Sequence, residues 1–481
     1  MNQALHIFKK DVRCLRWELA ASMVLMAIFV YGQIYRDVLL DNRAAIVSYI
    51  LLCFWAFLCA RLVQAEPIPG DRQFWITRPY QWRSLLGAKL LFMVVFIGVP
   101  LLAADAVILR VEGFSIASHA VGLLWSLVLI TASTLIAFCA FATLTRNLTE
   151  WFLAAIITVG IDYAIAAIAN ERVWAGVEWI RDYSYVAIMC VVAAVVLLAQ
   201  YTRRGTIWSI VVMAVGLLGS AIFVNYARSS WALELETRFS NPRVDLSSVR
   251  IAAAKVEPAA PTIRPIPPKR EQVVLLAIPL DVSGLKDGLD LISDEVQVTI
   301  KNENGGNWSR GGRQANDSNY LQRTPKGHRL LLRVDGLAFE RAADPVEVSL
   351  TLYLTMLRDS ASRVIQPRDA AVDVPGSGRC QDVAMERDNW IVCESALRAP
   401  PNLLVVGFKG ERRDRFFAGT SYSPFPADAD SAIVPLGRYS HSVPRDLYPV
   451  TLTSLEPVAH FRMDLKLPNV HLADYRVPSQ F

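Results

Sequence analysis

Seven long apolar runs fill the first half of this chain, and the second half has none. They cover residues 17–35, 44–63, 88–109, 119–143, 151–170, 183–201 and 206–226. Each is close to the roughly 20 residues that carry a helix across a hydrocarbon core about 30 Å thick. Backbone polar groups find no water there, so each run must satisfy them internally, as a helix does. The expectation is a membrane α-helical bundle of about seven spans, followed by some 250 polar, proline-punctuated residues.

Charge orients the bundle. Short loops rich in Lys and Arg face the cytoplasm. One set of faces carries Lys9, Lys10, Arg13, Arg16, Arg61, Arg72, Arg78, Arg83, Lys89, Arg146, Arg203 and Arg204, twelve in all. The alternate loops hold five: Arg36, Arg43, Arg110, Arg172 and Arg181. The N-terminus is therefore expected in the cytoplasm, and seven crossings place everything after Tyr226 outside it. The formal net charge of +5 is partly consumed by these loops and gives no sign of nucleic-acid binding.

Cysteine placement bears on the same question. Cys14, Cys53, Cys59, Cys139 and Cys190 lie in or beside the apolar runs, where free thiols act as small hydrophobes. The polar half has only Cys380 and Cys393. Such a pair reads as a disulfide in an oxidising compartment, against the alternative of two buried thiols in a cytosolic domain. No phosphate-binding GxxxxGK[ST] loop, GxSxG elbow or HExxH occurs. The histidines (His6, His119, His328, His441, His460, His471) show no metal-ligand spacing. The chain is read as no enzyme by itself, with no cofactor or metal bound directly.

The segment joining the second and third runs, residues 66–89, is the most distinctive. Pro67, Pro69 and Gly70 break the helix as it leaves the membrane, and Asp71 can cap the next element. Arg72, Phe74, Trp75 and Arg78 then mix aromatic and cationic side chains until Pro79 stops that element, with Ser84 placed to cap a new turn. Two readings fit: an interfacial anchor at headgroup depth, or a surface presented to a soluble partner.

The phrase Asp71-Arg-Gln-Phe-Trp-Ile-Thr-Arg-Pro-Tyr-Gln-Trp-Arg-Ser-Leu-Leu-Gly-Ala-Lys89 resembles the loop after the second helix in permease subunits of type-2 ABC exporters. Phe8-Lys-Lys-Asp-Val-Arg-Cys-Leu-Arg-Trp17 is similar to the amphipathic interface helix before their first span. The resemblance covers about the first 225 residues. It implies a six-helix core, a separate ATPase subunit that uses ATP and seats on the loop, and pairing with itself or a second permease. Asp71, Arg72, Phe74, Trp75, Arg78 and Pro79 become docking candidates, with Glu66 and Asp71 orienting the loop. A seventh helix and a large exterior domain depart from the family pattern.

Residues 171–181 form an amphipathic piece on the outer face, with Trp174, Val177 and Ile180 on one side and Glu171, Glu178 and Arg181 turned to water. Asp105 and Asp162 fall inside runs, where ionisable groups are rare and expensive. Asp105 can reach the outer interface or pair with Arg110; Asp162 either lines a polar path or is satisfied structurally. Ser126, Thr131, Ser133 and Thr134 can supply hydrogen bonds between helices.

After Tyr226, residues 231–239 alternate as a strand does, and Pro258, Pro261, Pro265, Pro267 and Pro268 make a stiff linker. Strand-like runs come next at 273–282, 295–301, 329–334, 346–356, 390–393, 402–408, 432–436 and 461–467, separated by turns such as 304–307 and 375–378. The expected organisation is an interface helix (1–16), a transmembrane domain (17–227), a linker (228–271) and a mainly-β domain (272–481), a β-sandwich with one hairpin stapled by the disulfide. The functional expectation is a permease-like subunit of an ABC transport system in the cytoplasmic (inner) membrane, partnered by an ATPase and the lipid bilayer. Its rival is a membrane-anchored β-sandwich receptor or assembly factor without transport.

Overall fold

The computed structural model describes the 481-residue chain outside residues 1–2, 36–40, 66–80, 169–177, 204, 227–230, 236–245, 255–272, 303–306, 314–319, 325–326, 342–344, 367–369, 376–377, 385–388, 398–402, 409–412, 418–434, 444–448 and 478–481. The proline-rich linker thus lies outside the described residues. Helix α1 (Gln3–Cys14) precedes α2 (Arg16–Ile34) and α3 (Asp41–Gln64). The third apolar run becomes α4 (Trp82–Met93) and α5 (Val99–Val111), joined through a π turn at Val94–Gly98. Pro100 explains that turn: it has no N–H, and its ring cannot sit against the carbonyl four residues back in a regular helix. The fourth run is α6 (Ile116–Ile130), a second π turn (Thr131–Leu135) and α7 (Ile136–Leu144). Then come α8 (Leu148–Ile168), α9 (Glu178–Arg203) and α10 (Thr206–Tyr226).

Among the described residues, six helical segments are long and apolar enough to cross a membrane: Arg16–Ile34, Ile46–Gln64, Trp82–Val111, Ile116–Leu144, Tyr183–Arg203 and Thr206–Phe223. The seventh expected crossing is α8, whose described apolar stretch, Leu148–Ile161, is shorter than these. Ser133 and Thr134, expected to bond between helices, bond each other inside the second π turn (3.1 Å).

The rest is mainly β, in three antiparallel sheets. Strands β1 (Arg250–Ala253), β2 (Val273–Ser283), β6 (Gly327–Asp335) and β5 (Tyr320–Thr324) make the first sheet, in that order. The second is β12 (Arg413–Phe417), β11 (Leu403–Phe408), β14 (Val450–Val470), β7 (Val346–Ile365), β3 (Leu289–Asn302) and β4 (Asn307–Arg313). The third is β13 (Leu436–Val443), β10 (Asn389–Ala396), β9 (Gly378–Ala384) and β8 (Val372–Val374). A short helix, α11 (Gly336–Arg341), comes after β6.

Strands β7 and β14 are the spine, in register from Val346 opposite Val470 to Ile365 opposite Val450. Pro457 sits at a register shift in β14, where a residue without an N–H is tolerated. Val348, Leu350, Leu352 and Leu354 of β7 alternate onto one face and share a core with Leu276, Ile278, Leu330 and Leu332 of the first sheet. At the far end Ile365, Val450 and Leu452 share a second core with Ile391, Val443 and the disulfide. Cys380 and Cys393 lie directly opposite each other in the β9–β10 pair and are bonded.

Two expected strands differ. Residues 231–235 are helical, because Ala232 and Leu233 are buried together against Ile180 and Tyr353. The other, expected at 432–436, is β13, which runs Leu436–Val443; residues 432–434 lie outside the described residues.

The domain rests on the bundle in two places. Arg379 Nη1 donates to the Glu112 carbonyl (2.8 Å) in the α5–α6 turn, and Leu397 packs against α6 at Gly122. A Cβ at Gly113 or Gly122 would collide with these side chains, and Gly113 also has φ +83°. Leu397 itself holds a left-handed φ of +57°, a strained state for a branched side chain. The second seat is Tyr353 on Ile180, Ala232 and Leu233, with Phe223 of α10 beside them.

Candidate functional site

The loop 66–80, with Glu66, Asp71, Arg72, Phe74, Trp75, Arg78 and Pro79, lies outside the described residues. Its two stems are described, and both are fastened. On the outgoing side, Gln64 Nε2 donates to Thr145 Oγ1 (3.0 Å), tying the end of α3 to the end of α7. Arg61 stands 3.4 Å from Glu18 of α2, an exposed pair of small energetic weight. On the return side, Gln81 occupies the N-cap position of α4, and its backbone N–H donates to Gln3 Oε1 of α1 (3.4 Å). Ser84, expected as a cap, lies within the first turn of α4.

Helix α1 is amphipathic, with Ile7 and Asp11 buried, and Leu15 just beyond its end, while Lys9, Lys10 and Arg13 face out. Its inner face packs on the third span: Phe8 stacks on Phe96 (5.9 Å) and meets Phe92 edge-on (6.4 Å). Asp11 is the anomaly on this face, at 1% exposure. Lys89 Nζ answers it from α4 at 2.7 Å. The charge pattern counts Lys89 as a cytoplasmic loop cation; in the fold it is 2% exposed, because helix α4 turns it inward onto Asp11. The loop therefore returns into a clamp of α1 on α4, made from residues far apart in sequence.

Polar groups inside the bundle form a second set. Asp105 is 2% exposed, and its Oδ1 has no hydrogen-bond partner among the described residues. Arg110, its expected partner, is exposed. Asp162 belongs to α8, but its side chain lies outside the described residues. Gln200 of α9, which hydropathy alone passes over, is fully buried with both amide atoms unpaired among the described residues. Trp174 and Val177 of the outer amphipathic piece lie outside the described residues; Ile180 is buried under the β domain. A side groove of about 650 Å³ at the α9–α10 turn is lined by Leu198, Ala199, Thr202, Arg203 and Trp208.

A chain of polar groups links three strands inside the β domain. Thr355 Oγ1 donates to Asp294 Oδ2 (2.5 Å) and accepts from His460 Nδ1 (2.6 Å). Burial pushes the His460 pKa down from 6.5 to about 4. The hydroxyl sits between carboxylate and imidazole and ties β3, β7 and β14 together. No group of three or more His, Cys, Asp and Glu side chains able to hold a metal occurs among the described residues. No family model, curated protein or solved structure matches the chain.

Proposed function

We propose that this chain is the membrane-spanning, permease-like subunit of an ABC transport system in the cytoplasmic membrane. A separate ATPase would dock on loop 66–80 through Phe74, Trp75 and Arg78, with Asp71, Arg72 and Pro79 shaping the loop, and ATP would be used only by that partner. The observation that carries this reading is the clamp: the loop's return stem, which leads into the third span, is fixed to α1 twice, through Gln81 and Gln3 and through Lys89 and Asp11. A push on such a loop moves two helices and is not absorbed locally. The permease is read as working in pairs, with itself or a second permease, in the lipid bilayer and without nucleic acid.

The β domain is read as an extracytoplasmic β-sandwich. Its rival role, as a receptor merely held by helices, is disfavoured by the two seats at Gly122 and Ile180, which join it to α6 and α9 beyond the covalent linker. Replacing Trp75 and Arg78 by Ala should abolish co-purification of the ATPase while membrane insertion stays normal. Loss of central aromatic and Arg anchors costs an interface about 2–4 kcal/mol or more. Unchanged recovery of the partner would reduce the loop to an interfacial anchor.

A further inference from the structure

Three sulfur atoms from three helices meet inside the bundle. Met93 Sδ of α4 lies 3.4 Å from Cys139 Sγ of α7 and 4.0 Å from Cys59 Sγ of α3. Met93 Sδ thus stands in contact with both thiols at once. Cys59 is 0%, Met93 3% and Cys139 3% exposed. Buried thiols alone are ordinary small hydrophobes. Two thiols converging with a thioether on one point is a donor set with a definite preference.

We propose that Cys59, Met93 and Cys139 bind a copper(I) ion. Thiolate and thioether are soft donors that select Cu(I), and two or three sulfurs complete its coordination. Zinc wants four donors, and no His, Asp or Glu joins the pair among the described residues. Binding breaks one S–H bond and forms a Cu–S bond. The proton leaves, no electron is transferred, and one thiolate with Cu(I) leaves the site neutral, as an apolar interior requires. Met93 is the last residue of α4 before the first π turn, and Cys139 lies in the first turn of α7 beyond the second. The ion would pin α3, α4 and α7 where both central spans change pitch.

The test uses the full chain with Cys14, Cys53 and Cys190 replaced by Ser, purified without oxygen from cells grown with added copper. After a wash with the Cu(I) chelator bathocuproine disulfonate, elemental analysis should find a single copper per chain. X-ray absorption should show sulfur neighbours only. Cys59→Ser with Cys139→Ser should carry none. Met93→Leu, a volume-conserving change that folds even if the double variant does not, should lose its copper to the chelator. No copper in the parent, equal copper in a folded double variant, or unchanged retention in Met93→Leu would each overturn the site. A Cys59–Cys139 disulfide in the protein as isolated would overturn it too.

Discussion

His460 shows what burial does to a single titratable side chain. Its imidazole is 7% exposed, faces Thr355 and, through it, Asp294, and is held neutral because the charged form would lose its hydration. The unfolded chain takes up this proton near 6.5 and the folded chain only near 4. Between these values the unfolded state binds more protons, so stability rises with pH. The contribution is whole above pH 6.5, declines as pH falls, and is exhausted below about 4. At about 1.4 kcal/mol per unit it amounts to about 3 kcal/mol. Hydrogen exchange of β7 and β14, corrected for its intrinsic pH dependence, should therefore accelerate as the full chain is brought from pH 7 to 4.5. His460→Gln, which cannot charge, should remove most of that acceleration; an unchanged acid response would assign it to other groups.

At the scale of elements, the junction of α1 with α4 is where the fold departs most from what apolar patterning dictates. A carboxylate and an ammonium have been taken from water at 0% and 3% side-chain exposure, and they are stable only as a pair. Lys89→Met removes the ammonium that answers the buried Asp11 carboxylate and should cost about 3–5 kcal/mol, whereas Asp11→Leu combined with Lys89→Met should recover most of it. Thermal unfolding of the detergent-solubilised chain distinguishes the two; equal loss in both would show that shape, not charge, holds the clamp. Sequence reading missed this arrangement, although half of it could have been found. Asp11 stands in line with Ile7 and Leu15, which marks it as misplaced, but its partner is 78 residues away and reads as one more basic loop residue. Strands were legible where alternation was strong and both ends were marked, as in β2, β6 and β11, whereas the expected run at 346–356 covers only the first part of β7. The ones missed (β1, β4, β5, β8, β9 and β12) are short or polar, and each is paired against a longer or more apolar neighbour that supplies what its own composition lacks. Residues 231–235 alternate over too short a stretch to choose between periods; contact with Tyr353 makes the choice for helix.

For the whole molecule, the contacts at the two ends of the third span fix which parts share a side. The segment Trp82–Val111 has 30 residues, about 45 Å of helix. Asp11 of α1 is bonded near its start, and Arg379 of the β domain is bonded just past its end, at Glu112. Helix α1 and the β domain are therefore at opposite ends of the bundle. Helix α9 begins at the β-domain end, with Ile180 under Tyr353, while α7 ends at the other, with Thr145 beside Gln64. The chain between Thr145 and Ile180 has to return across the bundle, and α8, at 21 residues, is the helix in between. On the proposed reading, in which α8 is a seventh crossing beside the six long apolar helices, the N-terminal and C-terminal parts would fall on opposite sides of a membrane, with the excess of Lys and Arg placing the N-terminus inside. A reporter active only outside the cytoplasm should then work when fused after Phe481 and stay silent when inserted in loop 66–80. Mass spectrometry without reductant should find Cys380 joined to Cys393, as an oxidising compartment preserves such a bond. An active reporter in the loop with a silent one at Phe481 would invert the orientation. Two silent reporters would mean that α8 does not cross and that the contacts at Glu112 and Ile180 are absent from the membrane-embedded protein.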